Sequence, residues 1–170
     1  MATATYEPIA TTTLSTAAST ITFSSIPATY TDLRLVVVAQ DSSPSANQEN
    51  IYMTYNSDTA TNYSITYLQG DGSTATSGRL STQANIRLLL SAVSSGHSAF
   101  GLGTVDIFSY AGSTNKTSLI TGQSDSNGSG YVQRIVGLWR SASAITSITL
   151  TAENTFKANT TATLYGIKAA

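Results

Sequence analysis

The chain reads as a series of short apolar segments, each closed by residues that end strands. Ile21-Thr22-Phe23 alternates and stops at Ser24-Ser25-Ile26-Pro27, where proline cannot continue a ladder. Leu33 to Val38 is a near-continuous apolar run, the pattern of a buried central strand. Ile51 to Tyr55, Tyr63 to Leu68, Ile86 to Val93, Phe100 to Tyr110, Thr117 to Thr121, Tyr131 to Trp139, Ile145 to Thr151 and Thr161 to Lys168 continue the series. Between them lie turn-forming clusters such as Asp41 to Ser45, Gln69 to Ser73, Ala111 to Lys116 and Asp125 to Gly130. Gly101 and Gly103 predict a bulge or a close backbone approach within their strand. No segment carries the periodicity and caps of an amphipathic helix. About nine or ten strands without intervening helices predict an all-β fold, a jelly-roll-like antiparallel β-sandwich.

Composition narrows the function classes. Charged residues make up 10% of the 170 residues, against about 25% in an average globular chain. Serine and threonine take their place, so the surface is dressed in hydroxyls. The formal net charge is −1 and the eight Lys and Arg residues are scattered. That is no footprint for nucleic acid, which needs clustered cations to displace counterions. Near-neutrality leaves little repulsion between copies and suits a subunit of an assembly. There is no cysteine, which excludes disulfides, thiolate nucleophiles and cysteine-ligated zinc. Met1 to Glu7 carries no basic and apolar leader pattern, and no apolar run approaches a membrane span. The expectation is a chain made in a cytoplasm that stays off membranes. Residues 1–18 are Thr- and Ala-rich with isolated apolar residues. They read as an extended N-terminal arm or as a first edge strand, with one sandwich domain over 19–170.

The sequence assigns no catalytic, cofactor-binding or metal-ligating residue. His97 is the single histidine and sits in a Ser-rich turn; no nucleophile-elbow motif accompanies it. The carboxylates are few and unpaired in sequence. Asp71 between glycines, and Asp125 near Asn127, fit turn chemistry and lack the calcium-loop pattern. The nine tyrosines are expected mostly on half-buried strand faces, Tyr63, Tyr67, Tyr110 and Tyr165 among them. Arg34 and Arg87 interrupt apolar strands, so each is expected to meet a carboxylate or a subunit interface.

Several segments resemble a family of small structural proteins of tailed bacteriophages, including cyanophages. They are Ile21 to Pro27, Tyr30-Thr31-Asp32-Leu33-Arg34-Leu35, Asp106 to Tyr110, Asn115-Lys116-Thr117, Gly137-Leu138-Trp139 leading into Ala144 to Leu150, and the closing Leu164-Tyr165-Gly166-Ile167-Lys168. The resemblance implies a non-enzymatic virion protein with a jelly-roll-like domain, often a homotrimer. It would act in capsid decoration (cement) or in tail fibres and their adaptors. On the cement reading the partner is the major capsid protein or another virion protein. The gripping element would then be the arm, through Tyr6, Ile9 and Leu14. The alternative is a fibre-tip or adaptor domain that binds a host receptor or carbohydrate, with tyrosines and Trp139 stacking on sugars.

Overall fold

The computed structural model describes residues 5–43, 49–88, 99–124 and 128–168. Among these residues the chain is all-β, with twelve strands in two antiparallel sheets. They are β1 (Tyr6–Thr13), β2 (Ala18–Phe23), β3 (Asp32–Ala39), β4 (Ile51–Tyr55), β5 (Tyr63–Gly70) and β6 (Ala75–Gln83). The second half adds β7 (Ile86–Leu88), β8 (Gly101–Phe108), β9 (Lys116–Ser124), β10 (Tyr131–Trp139), β11 (Ile148–Phe156) and β12 (Thr161–Ile167). The large sheet runs β1-β12-β3-β8-β9-β10-β5-β6, and the small one β2-β11-β4-β7. From β1 to β5 the chain changes sheet at every step, and it does so again from β6 to β7, β7 to β8, β10 to β11 and β11 to β12. Two further pairs, β5–β6 and β9–β10, widen the large sheet beyond β8.

Side-chain alternation explains why the sheets stack. In β3, Leu33, Leu35, Val37 and Ala39 point into the core, while Arg34, Val36 and Val38 point away. β8, β9 and β10 alternate in the same way. The small sheet supplies Ile21, Phe23, Met53, Tyr55, Ile86, Ile148 and Leu150 to the same core. Each such side chain contributes about 1.5–3 kcal/mol on burial.

The motif segments singled out above are where the chain is cross-braced. Gly166 lies under the ring of Tyr30, so close that a Cβ there would come within 2.3 Å of the ring's Cγ. The Tyr30 hydroxyl donates to Glu7 at 3.3 Å, and Lys168 Nζ reaches the same carboxylate at 2.8 Å. The chain ends are thereby clasped. The Tyr110 hydroxyl donates to the Pro27 carbonyl. Asp32 accepts from the Ser109 amide at 2.7 Å, at a residue with φ 49°. Lys116 is fully buried and donates its ammonium to the carbonyls of Gly112 (2.7 Å) and Thr114, holding the turn between β8 and β9 from beneath. Trp139 stacks on Tyr63 and donates to Asp58 at 2.7 Å. Gly137 makes room for Ile86 of the opposite sheet.

Several local expectations change. β6 was not legible as a strand. Ile145 sits in a loop, held by its amide to the Tyr110 carbonyl, and the strand begins at Ile148. β8 pairs in unbroken register through Gly101 and Gly103, so neither glycine marks a bulge. Of the run Ile86 to Val93, β7 takes Ile86–Leu88 and the rest lies outside the described residues, as do His97, Asp125 and Asn127.

Candidate interaction surface

The N-terminal segment belongs to its own domain. β1 is hydrogen-bonded along its length to β12, with a register shift between Pro8 and Ala10. Ile9 and Leu14 pack against the core, and the backbone of Leu14 is tied to Thr160 and Asn159. Of the three residues expected to grip a partner, Tyr6 alone stays open, 48% exposed. Its hydroxyl accepts from Arg34 at 3.3 Å. Residues 6–13 are thus an edge strand and not a free arm, because the apolar residues that would grip a shell are spent on this core.

The aromatic residues offered for sugar stacking are also committed. Trp139 is 3% exposed. Tyr55, Tyr63 and Tyr110 are fully buried, so Tyr63 and Tyr110 are not half-buried as their sequence context predicts. Burial raises the Tyr63 phenol to about 12. Arg34 meets a carboxylate, with its Nε 3.1 Å from Asp106. Arg87 forms no ion pair among the described residues. Asp71 is a turn residue: its Oδ1 accepts from the amides of Ser73 (2.9 Å) and Thr74 (2.6 Å), and these bonds lower its pKa. Asp41 is buried and accepts from Ser43 and Asn154. Desolvation raises the pKa of nearby Glu49. Among the described residues no cluster of His, Asp or Glu has the arrangement of a metal site.

What remains open is the outer face of the large sheet. The residues that alternate with the core positions form rows across the strands. One row is Thr161, Val38, Leu102, Gln123, Val132, Gly70 and Ala75. The next but one contains Arg34, Asp106, Leu119, Val136, Thr66 and Arg79. Exposed apolar side chains recur along these rows: Val132 is 60% exposed, Leu68 57% and Val136 46%, with Phe108, Leu102 and Val38 beyond them. At strand spacings of about 4.8 Å and rises of about 3.3 Å per residue, this face measures about 34 by 25 Å, or about 850 Å². That matches the roughly 800 Å² per partner of a standard protein interface. The exposed apolar side chains are patches within that area, interspersed with Arg34, Asp106, Thr121, Arg134 and Arg79, and such patches on a sheet face are candidate interaction sites.

The face is not uniform. Towards β6 it dips into a groove of about 400 Å³ lined by Thr66, Arg79, Thr117, Val136, Leu138 and Arg140, with Ser64 and Ser81 at its sides. Arg140 donates to the carbonyls of Tyr63 (3.3 Å) and Ser81 (2.8 Å), which fixes it on the groove wall. Arg79 donates through Nε to Thr66 at 3.3 Å and is otherwise exposed. Neither arginine has a carboxylate partner among the described residues. Sequence reasoning missed this site because Arg79 lies in a segment with no strand pattern, 61 positions from Arg140.

No family model, no curated protein and no solved structure matches the chain.

Proposed function

We propose that this protein is a non-enzymatic structural subunit of a tailed-phage particle, most simply a capsid decoration (cement) protein with a jelly-roll domain. The observation that carries the reading is the strand order. Setting aside the two inserted pairs, the sheets read β1-β12-β3-β8 and β2-β11-β4-β7, the alternation of an eight-stranded jelly roll, a fold used by capsid proteins and by lectins. Fold alone does not choose between those uses. The uncovered sheet face does favour one. Its most exposed apolar side chains, Val132, Leu68 and Val136, are aliphatic, whereas sugar recognition draws on exposed aromatic rings; Trp139, Tyr55 and Tyr63 are interior, and Phe108 and Tyr6 are the aromatic residues most open to solvent. The likeness of the motif segments to phage structural proteins points the same way. Those segments build the cross-braces of the sandwich, as expected of a stiff part that works without a ligand.

In a cement role the chain self-associates with closed symmetry, as a trimer, and bridges shell subunits through its exposed sheet. Cryo-electron microscopy of particles whose genome encodes this chain is the test. Density for the sandwich on the head, touching the shell, is the expected result. Density confined to the tail or fibre tips would replace this reading with receptor or carbohydrate binding.

A further inference from the structure

The two free edges of the large sheet are built differently, and the difference assigns a partner to one of them. β1 carries Pro8, a register shift beside it, and the Glu7–Lys168 ion pair. Proline, irregular register and charge are the devices by which sheet edges are closed to further strands. β6 carries no proline and no lysine; its pairing to β5 is regular from Ile65–Leu80 to Gly70–Ala75 and shifts beyond it, between Ile65 and Tyr63, and its one charge is the cation Arg79. It runs for nine residues and none of them is buried. Among the described residues β5 is its sole strand neighbour, so the backbone groups on its far side have no strand partner there. Such a row of amides and carbonyls is a template for one more strand.

Side-chain chemistry restricts that strand. On the outer face the position opposite any added residue beside Arg79 is cationic. Arg140 closes the groove behind it, and Arg134 lies on the same face two strands away, bonded to Thr121 at 2.5 Å. No carboxylate lines the groove. A second copy of β6 would bring a second Arg79 to this edge, and like charges close together across strands repel. A segment bearing carboxylates on alternate residues would pair with Arg79 through charge-assisted hydrogen bonds. We propose that the β6 edge binds an extended, acidic segment of a partner protein, added antiparallel or parallel as a ninth strand, with its carboxylates over the Arg79–Arg140 groove. The inference does not depend on the particle in which the chain works.

The test uses the full chain labelled with ¹⁵N and three synthetic peptides of nine residues. The first alternates Glu with Thr or Val, the second replaces Glu by Gln, and the third is the acidic peptide N-methylated at alternate residues. The acidic peptide is expected to shift the amides of 75–83 and to leave those of 6–13 in place. The Gln peptide and the variant Arg79→Glu are each expected to weaken binding by about tenfold or more, equivalent to about 1.4 kcal/mol. The N-methylated peptide, which cannot complete the ladder, is expected not to bind. Equal binding of the N-methylated peptide would reduce the site to an anion contact and overturn strand addition. Absence of any shift at millimolar peptide, or a dimer through β6 in sedimentation that excludes the peptide, would overturn it as well.

Discussion

The edges at β1 and β6 bound the same sheet yet are stabilised by opposite means. β1 is short of core residues, but it is pinned at one end by a stack of specific contacts: Tyr30 on Gly166, Tyr30 and Lys168 on Glu7, Arg34 on Tyr6. β6 makes its ladder with β5, turns on Asp71 and Gly72, and otherwise meets the domain through Leu80 and through Gly78 under the Tyr67 ring. The first edge is sealed by side chains. The second is left as backbone. A sheet edge that commits one side chain, Leu80, to its own core is open to a partner at little cost in folding stability.

The same substitution at the two edges separates them most sharply. Gly166→Ala drives a methyl into the root of the Tyr30 ring, which is held at both ends, and overpacking of that kind costs about 2–3 kcal/mol. The thermal midpoint should fall by roughly 5–10 °C. Gly78→Ala meets the free end of Tyr67, 2.6 Å from its hydroxyl, on a half-buried ring that can swing outward. Its cost should stay below about 1 kcal/mol, offset by the lower entropy of the unfolded chain. Equal losses in calorimetry would show that the two edges are equally braced.

Acid should loosen each edge through its own carboxylate. The hydrogen bond from Lys168 holds the Glu7 carboxyl below its usual range; the amides of Thr74 and Ser73 do the same for Asp71. A folded-state pKa below the unfolded one means that the contribution is present above the unfolded pKa, near 4 to 4.5 for these groups. It is lost as pH falls through the folded value. Amide exchange corrected for intrinsic rates should therefore speed up in β1 and in the β5–β6 turn below about pH 4. Glu7→Gln should remove the pH dependence from β1 alone, and Asp71→Asn from the turn alone. Loss of both responses in either variant would mean that the edges open together. The smallest effect belongs to Arg79→Glu, which should leave the unfolding free energy within about 0.5 kcal/mol of the parent because the side chain is exposed.

The same contrast governs what could be read in advance. Strands such as Leu33 to Ala39 or Tyr131 to Trp139 announce themselves as apolar-rich runs closed by turn residues, although which of their side chains are buried alternates only in the folded sheet. β6 has no fully buried residue, so Ala-Thr-Ser-Gly-Arg-Leu-Ser-Thr-Gln carries no pattern and its pairing is decided by β5. Position in the core was equally opaque for Lys116, a cation whose partners are backbone carbonyls rather than a carboxylate. The two readings left open for residues 1–18 differed in where Ile9 and Leu14 point, which depends on β12, about 150 residues away. The outer face was hidden for the same reason. Val38, Leu102 and Val132 become neighbours in a row only once the strand order is known.

The most direct test is hydrogen–deuterium exchange on the full chain, free and within the particle proposed to carry it. The account predicts new protection at 75–83 and at outward positions around Val132 and Val136, with 6–13 unchanged. Protection confined to 6–13, with β6 exchanging as fast as in the free chain, would contradict it and return the gripping role to the N-terminal edge.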